Sequence, residues 1–349
     1  MKQLLTILLT AFFIVLPSAA EEEAKINILK VDRGIEIAIG ATPEIYIDGP
    51  INDVTVAKFV ATVSAENITS GTIYINSPGG NLISGIELGR IIRKFGFSTN
   101  VGTQGEAYGS AKPGGCFSAC VLAYIGVYYR FLNASSLIGV HRFSTPTPKQ
   151  SDLDVAQVIS AAVTGYLKES DVDIALFNRM SRTAKDEIYL LSVQEGESLG
   201  VVNNGTRPAI WTLQSAEEIM YLKGEQETWR GIGKLLIMCR KGVLLSAAFY
   251  GAGSNAPAIA KSTWRYSLRI NDEFSSVNDL IRPVQVSEQY VVAYFQPTEK
   301  QTEKMLSAQS VGFAFHPQNH DLFYGFQVGA RDAHQKLSNY IKYCSSQRN

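Results

Sequence analysis

Three places in the sequence carry residues that could act together in acyl transfer. They are Ser118 in GGCFSACVLAYIG, His141 in LIGVHRF, and the glycine pair of INSPGG at Gly79 and Gly80. A serine where a glycine-rich loop enters a helix sits near backbone donors and the positive end of the helix dipole, and both favour developing negative charge. Glycines after a strand bring backbone N–H groups close to a ligand without a Cβ in the way, so they can donate to an oxyanion. A histidine ending an apolar strand is delivered to the sheet edge, where an imidazole can take and return a proton near neutral pH. Each has a plainer reading alone: a small residue packed in a helix, a structural histidine, an ordinary turn. Lys112 offers a second base, as in serine–lysine hydrolases, but Pro113-Gly114-Gly115 stand between it and Ser118.

These residues need a scaffold, and the apolar pattern supplies one. Strands are expected at 44–47 and 72–75, each followed by a helix (53–64 and 82–95), then a strand at 97–101. Strand and helix alternating in this way predict a mostly parallel sheet with crossover helices. A loop over 102–115, an apolar helix over 117–125 and a strand at 137–140 follow, then helices at 152–168, 173–180 and 192–199. Upstream, INILKVDRGIEIAI reads as a hairpin broken at Asp32-Arg33-Gly34. Residues 203–208 are a turn-rich linker. Beyond it strands dominate (234–238, 243–250, 264–270, 285–295, 312–315 and 323–328), with helices at 298–309 and 330–344. The expected organisation is a leader at 1–20, an N-terminal segment at 21–43, an α/β domain at 44–205 and a smaller β-rich α+β domain at 206–349. No internal repeat is evident, and the tryptophans Trp211, Trp229 and Trp264 are expected in the core.

The opening MKQLLTILLTAFFIVLPSAAEEE has a basic start, an apolar core over 4–16 and a small-residue site before Glu21. That is the layout of a secretory signal peptide. As a retained anchor the apolar run is too short to span a bilayer comfortably. The protein is therefore expected in the periplasm or outside the cell. The 32 basic and 32 acidic residues balance, and no basic stripe points to nucleic acid. Four cysteines in an oxidising compartment permit disulfides in three connectivities. Cys116 and Cys120 can bond if the backbone bends near Cys116, which Gly114-Gly115 allows, and Cys239–Cys344 is then the remaining pair. No metal site is expected. The Cys116/Cys120 pair has no histidine nearby, and Pro317 breaks any helical pairing of His316 with His320.

INSPGG, a serine opening a helix and a histidine 23 residues later resemble the proteolytic subunit of the Clp protease. The strand YIDGPI at 46–51 is similar to that family's strand before its glycine motif. CFSAC with a later IGVHRF more closely resembles exported, Clp-protease-like proteins of bacteria. The resemblance spans about 44–202. It implies the Clp/crotonase-like fold and a serine peptidase: Ser118 as nucleophile, His141 as base, and Gly80 and Ala119 as the two backbone donors of the oxyanion hole. It implies self-association, peptides or unfolded segments as substrates, and no cofactor. With export, it implies no ATPase partner. The third triad residue departs from the pattern. Counting back from Ser192 in AKDEIYLLSVQEGESLG places Ile188 where the family has an aspartate, so Asp186, or else Glu187, is the expected acid. The absent aligned acid also leaves open a non-catalytic binding protein that keeps the fold. A third reading, an acyl-CoA enzyme of the related crotonase group, is disfavoured by export.

Overall fold

A computed structural model of the chain describes residues 23–30, 42–144, 152–216, 219–318 and 322–347. The expected signal peptide, the hairpin turn at Asp32-Arg33-Gly34 and His320 lie outside the described residues. The chain divides into two compact units. The first is Met1–Gly126, Asn133–Tyr166 and Ala175–Leu191, and the second is Val127–Leu132, Leu167–Ile174 and Ser192–Asn349.

In the first unit, strands β1 (Lys25–Leu29), β2 (Glu44–Asp48), β3 (Thr72–Asn76) and β4 (Ser98–Val101) form one sheet in that order. β2, β3 and β4 run parallel and β1 is antiparallel at the edge. The parallel run follows from the crossover helices α1 (Asp53–Ala65) and α2 (Leu82–Lys94). Each starts on an asparagine: Asn52 accepts from Thr55 N at 2.9 Å, and Asn81 accepts from Ile83 N and Ser84 N. Ile45, Ile47, Ile73 and Ile75 are all buried. Tyr46 and Tyr74 stack at 4.8 Å between ring centroids and donate to the buried Glu44 carboxylate. Burial, then Glu44, raise the Tyr74 hydroxyl to about 12.

A second, three-stranded sheet holds β5 (Gly115–Phe117), β6 (Leu137–Val140) and β7 (Tyr189–Leu190). β5 and β6 are parallel, and β7 pairs antiparallel with β6. The apolar run expected as a helix from Phe117 is in fact split. Phe117 ends β5, and helix α3 covers Ala119–Ile125, with every residue of it buried. Short runs of apolar residues do not separate strand from helix by periodicity, and Phe117 is where the two meet. Helices α4 (Asp152–Glu169), α5 (Ala175–Arg182) and α6 (Val193–Ser198) follow.

The second unit is built mainly from strands. β8 (Ile210–Ala216), β9 (Ile219–Thr228), β10 (Gly231–Arg240), β11 (Val243–Gly251), β14 (Leu280–Ser287) and β15 (Tyr290–Phe295) form one antiparallel sheet, in the order β14-β15-β11-β10-β9-β8. β12 (Thr263–Ile270), β13 (Glu273–Val277), β16 (Ser310–Pro317) and β17 (Tyr324–Gly329) form another, ordered β13-β12-β16-β17. Helices α7 (Ala256–Ser262), α8 (Glu299–Met305) and α9 (His334–Ser346) complete it. The single strand expected over 285–295 is two, turned at Glu288, whose φ is +54°. A short unit does recur: a strand ending in Gly-Ala, a 3₁₀ turn and a helix, at 251–262 and 329–346. Only the Gly-Ala is shared, which is too little to register as a sequence repeat. Trp211 is buried as expected, whereas Trp229 and Trp264 are 55% and 59% exposed. Cys239 and Cys344 are bonded, with Cα atoms 5.4 Å apart. The buried Arg130 donates to the carbonyls of Val127, Ser170 and Gly200.

Candidate functional site

Ser118 occupies the single residue between β5 and α3. Its backbone lies at φ 56° and ψ −123°, a corner that glycine ordinarily fills and L-residues rarely enter. Several contacts hold it there. Its N–H donates to Gly139 O at 2.9 Å, and its carbonyl accepts from Val121 N at 3.0 Å. The Cys116–Cys120 disulfide spans it, with Cα atoms 5.3 Å apart. The bend that lets cysteines four residues apart bond is therefore at Ser118 itself; Cys116 is extended within β5, and the preceding glycines do not supply the turn.

The glycine pair packs directly on this corner. Ser77 pairs with Cys116, donating to Gly115 O at 2.8 Å and accepting from Phe117 N at 3.0 Å. Gly79 has φ +110°, and a Cβ on it would stand 2.8 Å from both Phe117 O and Ser118 Cβ, and 3.3 Å from Ala119 N. Gly79 is the residue here that the sequence argument passed over in favour of its neighbour Gly80. Its signal was available, since only a residue lacking Cβ fits both that φ and that contact. Gly80 is anchored to Ile51 on the other side. Neither the Gly80 N–H nor the Ala119 N–H donates to a backbone acceptor among the described residues. α2 and α3, which begin just after the two motifs, approach closely at Gly85, where a Cβ would press on Ala119 O.

His141 follows β6, one strand over. The register pairs Cys116 with Ile138 and Phe117 with Gly139, so Ser118 and His141 emerge from the same ends of adjacent parallel strands. No hydrogen bond joins the two side chains among the described residues. His141 Nδ1 is buried and has no partner. The expected acid is elsewhere: the Asp186 carboxylate accepts from Lys185 Nζ at 2.6 Å and its side chain is 77% exposed. Glu187 is exposed too. β7 pairs Leu190 with Gly139 and Tyr189 with Val140, and one further step of that register sets Ile188 opposite His141. The Ile188 side chain lies over Gly139, on the strand face that His141 shares. Lys112 is 59% exposed and faces Glu106 at 3.8 Å. The segment around it is pinned down. Gly109 N donates to the Glu44 carboxylate, and Tyr108 hydrogen-bonds the backbone of Thr42. Among the described residues no cluster of His, Cys, Asp and Glu could hold a metal.

No protein-family model matches the sequence, and no curated protein matches it. Among solved structures the chain is similar to 1510-N, a membrane-bound stomatin-specific protease, at 16% identity and a TM-score of 0.34, covering 45% of this chain and 75% of that one. It is similar to ClpP1 from Listeria monocytogenes at 20% identity and a TM-score of 0.33, over 46% and 88% of the two chains. A second 1510-N structure, a variant in complex with a substrate peptide, gives 16% identity and a TM-score of 0.34 over 45% and 71%. The likeness is one of mixed α/β fold, over less than half of this chain, with the β-rich remainder outside it. It carries nothing about the chemistry at Ser118.

Proposed function

We propose that the protein is an exported serine peptidase of the Clp-protease-like class that works without an ATPase on peptides or unfolded segments. The conformation of Ser118 carries the reading. A non-glycine residue held at φ 56° and ψ −123° at a strand-to-helix corner is strained. Such strain persists where it serves to expose a nucleophile beside backbone donors. In this scheme Ser118 Oγ attacks the scissile carbonyl while His141 takes its proton. The Gly80 and Ala119 N–H groups stabilise the oxyanion, and His141 returns the proton to the leaving amine; water then releases the acyl group by the same steps in reverse order. Two disulfides and the signal-peptide-like leader support export. An extracytoplasmic site lacks ATP, and the mechanism needs none.

A second reading, a non-catalytic binding protein, is favoured by one observation: no described residue orients the His141 ring through Nδ1. A fluorophosphonate probe decides between them. Labelling of the wild-type chain and loss of it in Ser118→Ala is the expected result. Equal signal from the two, or none from a folded wild type, sinks the peptidase and leaves the binding protein.

A further inference from the structure

The second unit holds a cleft of about 400 Å³ between the β9–β10 turn and the edge of the β12-β16-β17 face. Two arginines line it, the exposed Arg230 and the half-buried Arg269, and among the described residues no aspartate or glutamate does. Arg269 is half-buried and makes no hydrogen bond or ion pair with the described residues; its Nε is fully shielded and has no partner. The guanidinium lies over the rings of Phe323 and Phe274, at 5.0 and 5.3 Å. Loss of hydration holds it below its usual basicity, and among the described residues the one acid that opposes this is the exposed Asp272. A cation taken out of water without a counter-charge is costly, and no described residue lining the cleft supplies one, so an anion bound there would be favoured. Arg230 stacks on Trp229 at 4.7 Å, with no carboxylate partner among the described residues. The Tyr250 hydroxyl, close enough to feel the Arg230 charge, has no protein partner among the described residues either.

We propose that this cleft binds a carboxylate, held by Arg269 and Arg230 with the Tyr250 hydroxyl as a further donor, and that its ligand is the free C-terminal carboxylate of a peptide. An arginine fork matches a planar carboxylate in two parallel hydrogen bonds. Trp229, Tyr250 and Phe326 give the apolar wall a terminal side chain needs, and Gly231 and Gly325 leave room for the peptide backbone. The volume admits the last one or two residues of a chain. The peptide as ligand rests on the peptidase reading; the anion site does not.

Calorimetric titration of the full chain carrying Ser118→Ala tests this without any turnover. Three versions of one apolar hexapeptide are compared: free C-terminus, C-terminal amide, and the amide with one internal glutamate. The free acid is expected to bind at least about tenfold more tightly than either amide. Arg269→Gln, and independently the exposed-site variant Arg230→Gln, which leaves the core untouched, should remove that difference. Equal binding of free acid and plain amide, or no binding at millimolar peptide, overturns the carboxylate site. A glutamate amide as tight as the free acid overturns the C-terminal assignment, as does a difference that survives both arginine variants. Absence of probe labelling in the folded wild-type chain would count against the peptidase and leave these outcomes readable.

Discussion

The two side chains offered for chemistry are held very differently. Ser118 is fixed by a backbone hydrogen bond to Gly139, a disulfide across it, the start of a buried helix and Gly79 packed on its Cβ. His141 is carried to the same place by its strand and then left: its inner ring nitrogen is shielded from water and unpaired. The contrast shows where evolution of a nucleophilic site can economise. The position and angle of the nucleophile need several independent restraints, because displacement by an ångström removes the near-attack geometry. Orientation of the base needs one hydrogen bond, and no described residue supplies it. On the peptidase reading, a well-placed serine beside a loosely held base gives slow turnover rather than none.

The firm half of the comparison breaks most completely at Gly79. Alanine there would need φ near +110° and would drive its methyl into Phe117 O and Ser118 Cβ, each 2.8 Å away. Probe labelling of Ser118 is expected to fall by about a hundredfold while the fold survives. Labelling within a factor of three of wild type, in protein whose circular dichroism is unchanged, would remove Gly79 from the restraints on the corner.

Opening the short disulfide should cost less. The Cys116→Ser/Cys120→Ser chain loses a restraint over a sequence separation of four, worth roughly 2 kcal/mol in the chain-entropy account. Removing the Cys239–Cys344 bond, at a separation of 105, is worth about twice that. Labelling should move the other way, falling about tenfold for the short bond and staying level for the long one. Urea unfolding alongside probe labelling reads both. If the short bond proves the larger contributor to stability and has no effect on labelling, it is a structural staple, and Ser118 is held by its neighbours alone.

Much of this architecture was legible before any coordinates. INSPGGN announces a strand, a tight turn and an asparagine-capped helix, because glycine and asparagine leave few alternatives there. The strand expected over 137–140, which carries His141 at its end, is β6 with those same bounds. Other features were not legible, among them β13 and helix α7. The strand-to-helix break at Ser118 hides inside a continuous apolar run, and nothing local says that Phe117 is extended. β8 and β9 were missed because 210–228 mixes polar and apolar residues without clean alternation on either face. The place of the acid depends on cross-strand register, which a one-residue slip reverses, and sequence fixes register only through turns.

The loose half of the comparison is open to repair, and the expected effect is the smallest of the three. Ile188 stands opposite His141 by the β6–β7 register and is 45% exposed, so a carboxylate there keeps much of its hydration. Ile188→Asp should bring an acceptor to the unpaired Nδ1 and raise the labelling rate about fivefold at neutral pH. That is only part of the roughly 10⁴-fold that a built-in triad acid contributes, because nothing around residue 188 was shaped to hold its rotamer. Asp186→Asn is the matching control. Its carboxylate already pairs with Lys185 and faces solvent, so labelling should stay within twofold of wild type. A tenfold loss in Asp186→Asn would mean that residues 184–188 rearrange to bring Asp186 to the imidazole. The register argument for Ile188 would then fail, and His141 would be as firmly held as Ser118.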